Sequence, residues 1–522
     1  MKSFLIFASA CILLCMPGCT DNEGSFPKWE KIELTFKAPR AKANSLHDTF
    51  NVEIDVRITS PNGKEFLLPA FIDGVESENH SAPVWKARFS ADRTGKWKYE
   101  TESTDQVLDG IKGTFEVADP LPSSSGFYRW GRLEAVSEAG SKIRYLKFRE
   151  GPYWLKAGCD DPENFLGNFI AYNTNEKRKA AIDYLSSKDI NSLYIITNNI
   201  NGDGKDVWPW LGDDQNVAKQ NSTGEIKFNF SKMEKWRELF EYMQAKGMVV
   251  YIVLEDDSGW KGYDHRKYYR EMIARFGYLP ALIFNINEEY NENYTKQQAL
   301  DLAMLLKDTD PFRHPVGIHN INQPDGDYIK ATQVDFTSIQ TGSVESGSGP
   351  SPEEYHRLVT SWIEKCKSLS ARTLMVGIDE GRPEGDRRAW WSTYLSGGVW
   401  EAHVPGPYDK PMETWDTIWT MLGGTRRFME SIPFWQMEPD TTVLKDGKAF
   451  CLSDGASQYA FYLPEGGNIE ISTPGNKTYE IAWWDPRNGN NGCFSNISRS
   501  GGGILKLSPP SEGDWALKIS GL

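Results

Sequence analysis

The sequence predicts a multidomain α/β plus β protein, with a central (β/α)8 TIM barrel flanked by N-terminal and C-terminal β-sandwich domains. Three observations carry this expectation. Between residues 153 and 400, eight short apolar runs alternate with helical stretches. Residues 29–119 and 439–522 instead show short period-two runs broken by Gly, Pro and Asn turns. Neither G-x-G-x-x-G nor G-x-x-x-x-G-K occurs, although a doubly wound sheet, the competing α/β topology, would be expected to carry such a phosphate loop.

Composition narrows the function classes. A chain of 522 residues is too long for one simple core. With 39% hydrophobic and 25% charged residues it buries cores and is not disordered. Lys and Arg total 58 against 72 Asp and Glu, a net charge of −14, which excludes a general nucleic-acid binder that needs a basic face. A mean hydropathy of −0.53 excludes a polytopic membrane protein. Aromatic residues reach 13%, with 19 Trp, and flat indole faces suit stacking on sugar rings.

Residues 1–18 read as an export signal. Lys2 is its positive end, and the apolar stretch 4–14 is too short to span a bilayer. The segment closes on Met16-Pro17-Gly18-Cys19, which resembles a bacterial lipobox with Met16 where Leu is usual. Cys19 is the expected lipidation site and 19–28 an acidic tether. The body is then expected at the cell envelope, anchored to the outer membrane through lipid only, surface-exposed and monomeric. Cys159, Cys366, Cys451 and Cys493 lie outside this region, with no C-x-x-C pair to hold structural zinc. Cys451 and Cys493 share one module and form a candidate disulfide.

The N-terminal sandwich, 29–119, is read from runs at 32–36, 50–58, 85–89, 97–100 and 113–117, with turns at Pro61-Asn62-Gly63 and Asp92-Arg93-Thr94-Gly95. A Pro/Ser-rich linker, 120–126, follows. The barrel domain, 127–438, takes strands at 153–156, 192–196, 249–254, 282–286, 316–318, 336–339, 373–378 and 398–400. Helical patterns fall at 177–187, 230–246, 265–276, 295–306, 352–368 and 388–395. The C-terminal sandwich, 439–522, is read from 449–452, 458–462, 468–471, 479–484 and 515–519.

In such a barrel, reactive side chains stand at the C-terminal ends of the strands. Those ends supply Lys156, Asn198, Asn199, Glu255, Asp256, Asp257, Asn287, Glu288, Glu289, His319, Asn320, Gln340, Asp379, Glu380, Glu401 and His403. Trp208, Trp210 and Trp400 lie in or near the same loops. A rim of carboxyls with indoles fits glycoside hydrolysis, in which one carboxyl protonates the leaving oxygen and another stabilises or attacks the anomeric carbon. Strands four and seven can supply that pair across the mouth. Glu288 or Glu289 is then the acid, and Asp379 or Glu380 the nucleophile. Lys156, Arg382, Arg387, Arg388 and His403 either recognise uronate or sulfate or pair with the acidic rim. The stretch from Asn199 to Gly204 resembles part of a calcium loop, but Trp210 occupies the position that needs Glu, so it reads as a Gly-rich βα loop. No H-E-x-x-H or G-x-S-x-G occurs, and neither metal nor organic cofactor is expected.

The run Leu282-Ile283-Phe284-Asn285-Ile286-Asn287-Glu288 resembles the strand-four motif of clan A glycoside hydrolases, and the run from Thr373 to Glu380 resembles their strand-seven nucleophile. More widely, the chain resembles a family of bacterial polysaccharide-utilisation proteins. Their members join an N-terminal domain of unknown function, a clan A-like barrel and a C-terminal module named for collagen binding in a collagenase. The matching segments include Tyr153-Trp154-Leu155-Lys156, Asp206-Val207-Trp208-Pro209-Trp210, Asp379-Glu380-Gly381 and Trp483-Trp484-Asp485-Pro486-Arg487. That family commonly has Gly-Glu-Glu-Asn at strand four, where this chain has Asn287-Glu288-Glu289-Tyr290. The Asn287 form is nearer the clan A pattern and selects Glu288 over Glu289; the strand-seven motif selects Glu380 over Asp379.

The resemblance implies a retaining glycoside hydrolase with a carbohydrate substrate. Lys156, Asn199, Trp208, Trp210, Glu255, Asp256, Asn287, Glu289, His319, Gln340, Asp379, Arg382, Trp400 and His403 are expected to contact the sugar. A non-catalytic glycan-binding lipoprotein and a polysaccharide lyase with a Tyr or His base are the alternatives.

Overall fold

The computed structural model describes residues 24–37, 52–73, 84–135, 144–168, 171–202, 206–257, 259–342, 349–406 and 408–522. The export signal, Cys19 and the first part of the tether lie outside the described residues. The chain divides into two compact units at Leu121 and Pro122.

The first unit is a two-sheet β structure. One sheet runs in the order Ser25–Pro27, Lys112–Ala118, Gly95–Ser103, Ile54–Thr59, Glu65–Pro69, and the other places Val84–Ser90 between Lys31–Lys37 and Phe71–Asp73. Alternating burial along Ile54–Thr59 explains its period-two pattern: Ile54, Val56 and Ile58 point inward. The core joins the sheets through Trp97, stacked on Phe115 at 6.1 Å and set edge-on to Phe89 at 5.0 Å.

The second unit holds the barrel. Its strands are, in order, Ala157–Cys159, Ser192–Ile196, Val249–Val253, Leu282–Asn285, Val316–Gly317, Phe336–Gln340, Met375–Glu380 and Val399–Ala402. Pairing is parallel throughout. Strand one pairs with strand eight, and the ring closes between strands five and six through one isolated bridge, His319 to Ser338. Helices Asn175–Ser187, Phe230–Ala245, His265–Phe276, Lys296–Thr309, Pro352–Ser368 and Arg387–Tyr394 separate the strands. Several start at side-chain caps that the sequence carries, among them Ser351 with Glu354 in a capping box.

One strand is misplaced by the sequence reading. The apolar run at 153–156 was expected as strand one, but the strand is Ala157–Cys159, and Tyr153 makes only an isolated bridge to Lys147. Gly158 has a steric reason: a Cβ there would lie 2.5 Å from Glu401 Oε1 inside the barrel. Strand seven also runs two residues further than expected, to Glu380.

The C-terminal module is antiparallel and folds over its own core of Phe461, Ile471, Tyr479, Trp483, Leu517 and Ile519. The expected strands 468–471 and 479–484 are one strand, Ile469–Trp484. Its first half pairs with Leu444–Asp446 and its second with Trp515–Gly521. The module is fixed to the barrel by Arg387, whose guanidinium holds Asp514 at 2.7 and 2.9 Å, and by Trp391 stacked on Tyr462 at 5.3 Å. The Cys451–Cys493 disulfide is corrected: both thiols are free, Cys451 buried in the sheet and Cys493 exposed. Among the described residues no helix is long and apolar enough to cross a membrane.

Candidate active site

Beyond strand four the chain turns sharply. Glu289 adopts φ 39° and ψ 57°, the left-handed region that a Cβ disfavours. That turn has three local consequences. The amide of Glu288 donates to Glu255 O at 2.8 Å, tying the segment to the end of strand three. The amide of Glu289 donates to His319 Nδ1 at 3.1 Å, and that of Tyr290 to His319 O at 2.7 Å. His319 in turn donates its own amide to Asn285 Oδ1 at 3.1 Å. So clamped, its ring brings Nδ1 to 2.8 Å from Glu288 Oε1.

Strand seven solves a different problem. Ile339 pairs with Ile378 but Gln340 pairs with Glu380, so two residues of strand seven oppose one of strand six. This bulge lets the successive residues Asp379 and Glu380 both serve the barrel's inside. Asp379 points down into a polar interior, bonded by Lys156 Nζ at 2.7 Å, Tyr251 OH at 3.0 Å and Ser338 Oγ at 2.5 Å. Lys156 also pairs with Glu401. Glu380 takes a hydrogen bond from Gln340 Nε2 at 2.7 Å and stands 3.6 Å from Arg382 Nη2. Donor atoms of Glu288, His319 and Glu380 all lie within 4.8 Å of one another, so the two carboxylates face each other at short range.

Their environments push them apart electrostatically. Burial, joined by the charges of Glu380 and Glu289, raises Glu288 to about 7 against the opposition of His319. Burial acts on Glu380 too, but His403, His319, the Gln340 hydrogen bond and Arg382 together hold it below the usual 4.5. Burial would lower His319, but the charge and hydrogen bond of Glu288, joined by the charges of Glu380 and Asp379, outweigh it and push the ring up to about 10. The amide of Glu289 directed at Nδ1 favours a lone pair on that nitrogen, and so favours the proton on Glu288. Glu288 Oε2 and His319 Nε2 are buried without a partner.

A second group borders Glu380. His403 Nδ1 lies 2.8 Å from Asp161 Oδ2 and 3.3 Å from Asp160 Oδ2, and its Nε2 meets Tyr408 OH at 3.1 Å. Donor atoms of Asp160, Glu380 and His403 are mutually within 4.8 Å. Burial, only partly offset by His403, raises Asp160 well above the carboxylate range. Partly exposed Glu163 is raised as well, by burial and then by the charges of Asp256, Glu288, Asp161 and Glu380. Sequence reasoning missed Asp160, Asp161 and Glu163, because it ended strand one too early. The same strand-end rule, applied at Cys159, yields Asp160 directly.

The structure thus brings Glu288, Glu289, His319, Gln340, Asp379, Glu380, Arg382 and His403 together around strands four to eight. Trp400 ends at the same mouth, its ring so close beneath Gly381 that a Cβ would sit 1.9 Å from it. Asn287 and Asp256 are linked there, Asn287 Nδ2 donating to Asp256 O at 3.2 Å.

Several expected sugar contacts are redirected. Lys156 is fully buried, and its ammonium is consumed by Asp379 and Glu401 in the interior; Asp379 lies in the same layer. Asn199 braces its own loop by accepting the Val207 amide at 2.5 Å. Trp208 spends its N–H on Gly212 O at 2.9 Å, and Trp210 is buried against Tyr263 and Tyr268. Glu255 sits in a cage of Tyr263, Tyr294 and His265. Each of these side chains is engaged at least in part by contacts within the protein.

Residues 25–104 match the family model described as Domain of unknown function (DUF5060). No curated protein matches the chain. Among solved structures, the chain is similar to a candidate glycoside hydrolase of Bacteroides vulgatus ATCC 8482, with a TM-score of 0.72 at 15% identity, covering 96% of this chain and 100% of that one. A family 5 glycoside hydrolase of the same organism gives 0.55 at 15% identity over 76% and 95% of the two chains. Another glycoside hydrolase gives 0.55 at 14% identity over 76% and 98%. At these identities the likeness is one of fold: the chain has a glycoside hydrolase-like architecture.

Proposed function

We propose that the protein is a retaining glycoside hydrolase acting on a polysaccharide or oligosaccharide outside the cytoplasm. One observation carries the reading: Glu288 and Glu380 face each other with oxygens within 4.8 Å, one carboxyl raised to about 7 and the other lowered. Carboxyls about 5–5.5 Å apart suit double displacement, whereas inversion needs about 6.5–9.5 Å to seat a water.

In the first step Glu288 gives its proton to the glycosidic oxygen, the bond from that oxygen to the anomeric carbon breaks, and Glu380 Oε attacks that carbon to form a glycosyl ester. In the second step ionised Glu288, paired with His319, takes a proton from water. The water oxygen attacks the anomeric carbon and Glu380 leaves as carboxylate. The split between the two carboxyls matches these roles, since the acid must hold its proton where the nucleophile has lost its own. No organic cofactor enters either step.

The test is hydrolysis of a panel of plant and algal polysaccharides, with products followed by NMR. Retained anomeric configuration, and loss of turnover in both Glu288→Ala and Glu380→Ala, are expected. Undiminished turnover in either variant, or initial release of the inverted anomer, overturns the assignment. Anchoring through Cys19 is part of the same proposal: radiolabelled palmitate should enter the wild-type protein and not Cys19→Ala in the native host.

A further inference from the structure

We propose that the sugar unit held between Glu288 and Glu380 is uncharged, so that the enzyme takes neutral glycosides and rejects uronates and sulfated sugars at that position. This deepens the hydrolase reading and rests on it.

The basic residues that the sequence places around the mouth are already paired. An anionic sugar needs a cation with hydrogen-bonding capacity to spare. Lys156 is committed to Asp379 and Glu401. Arg387 is committed to Asp514 at 2.7 Å, and Arg388 to Asp386 at 3.3 Å and Glu465 at 3.7 Å. Arg382 is paired with Glu384 and lies 3.6 Å from Glu380, while His403 lies between Asp160 and Asp161. Each cation that sequence offered for uronate or sulfate is matched by a carboxylate of the protein.

Carboxyl groups are in surplus around the two central ones. Asp160 has an oxygen within 4.8 Å of Glu380 and His403. Glu163 is close enough to feel Asp256, Glu288, Asp161 and Glu380. A carboxylate or sulfate brought into this group meets ionised Glu380 at short range, and it meets the same burial that already holds Asp160, Glu163 and Glu288 toward their neutral forms, so a further negative charge is disfavoured there.

The open polar atoms around the pair set a further requirement. Glu288 Oε2, His319 Nε2, Asn287 Oδ1 and Asn198 Oδ1 lack a hydrogen-bond partner, and their residues are at most 4% exposed. The two amide oxygens are acceptors and require donors, whereas His319 Nε2, which bears the hydrogen when Nδ1 accepts, requires an acceptor, so the set asks for a group that does both. Hydroxyls donate and accept; uronate and sulfate oxygens only accept. Burying acceptor against acceptor leaves both unsatisfied, which is costly.

The experiment uses matched pairs: glucuronoxylan, polygalacturonan and a uronate-bearing algal polysaccharide, each as isolated and after chemical reduction of the uronate carboxyls to primary alcohols. Neutral mannan, xylan and glucan complete the panel. The full-length protein is assayed for new reducing ends, and binding of oligosaccharides from the same pairs to Glu288→Gln is measured by calorimetry. Neutral or carboxyl-reduced forms should be preferred by about 100-fold or more, the scale of like-charge repulsion in such a site. Equal or better cleavage of an unreduced uronide, lost in Glu380→Ala, overturns the charge preference and leaves the hydrolase reading standing. Selective binding of neutral forms with no cleavage in the wild type supports the charge preference and sinks the hydrolase reading. Tighter binding of the uronides, or no binding by either set, overturns the proposal.

Discussion

Glu288 Oε1 sits 2.8 Å from His319 Nδ1, and the backbone amide of Glu289 reaches the same nitrogen at 3.1 Å. With its proton in place Glu288 can protonate a leaving oxygen; once that proton has left on the oxygen, Glu288 is ionised beside the imidazole and can take one from water.

The pH profile of kcat/KM should be bell-shaped. Glu288 must be protonated, so activity falls as pH rises through about 7. Glu380 must be ionised and is held below 4.5, so the acid limb lies below the usual carboxylate value. Both limbs belong to the interacting set rather than to single residues. Glu288→Gln should abolish the basic limb on an aryl glycoside with a good leaving group. A basic limb that persists there unmoved contradicts the assignment.

Gln340→Leu should shift the acid limb upward. The hydrogen bond from Gln340 Nε2 at 2.7 Å favours ionised Glu380, and its loss lets burial raise that carboxyl. Activity at the acid end then drops while the plateau above it changes less. Steady-state assays across the acid range read this directly.

Lys156→Met should be severely destabilising without any loss of sugar contact. It leaves Asp379 buried without its cation, at a cost of about 3–5 kcal/mol, while Glu401, raised to about 8 by burial, takes up a proton. Adding Asp379→Asn should recover part of that loss, because the stranded charge is removed, whereas adding Glu401→Gln should change it little near neutral pH. Thermal melting of single and double variants measures the coupling.

Arg387→Ala should loosen the C-terminal module. It strips a two-pronged bond from buried Asp514, which keeps Tyr462 OH at 3.0 Å. The guanidinium is 31% exposed, so the expected cost is modest, about 1–2 kcal/mol. Melting should begin at lower temperature, and kcat/KM per folded molecule should stay within about twofold, because Asp514 belongs to the C-terminal module and not to the barrel strands that carry the two carboxyls.

Most of the architecture is legible because barrel strands buried on both faces read as continuous apolar runs, as in Val249–Val253. Strand one escapes that rule. Ala157, Gly158 and Cys159 carry no β-branched residue, and Gly158 is set by Glu401, 243 positions later in the chain (401 − 158). Lys156 stands at an apparent strand end and reads as a rim cation, but its partners are Asp379 and Glu401, which only the closed barrel brings near. The choice between Asp379 and Glu380 turns on a bulge that leaves no mark in composition. The indole count suggests stacking surfaces, yet Trp210, Trp390, Trp391 and Trp400 are at most 2% exposed and act chiefly as core.

The ring of strands is joined between its fifth and sixth members by the bridge from His319 to Ser338 and, at the other end, by Asp335 N donating to Val316 O at 2.7 Å. The partner of the proton donor thus belongs to the thinnest seam of the cylinder. Loosening at that seam separates Glu288 from its imidazole while the other strand pairs still hold. On gentle warming, turnover should fade ahead of bulk melting, with amide exchange beside His319 the earliest sign.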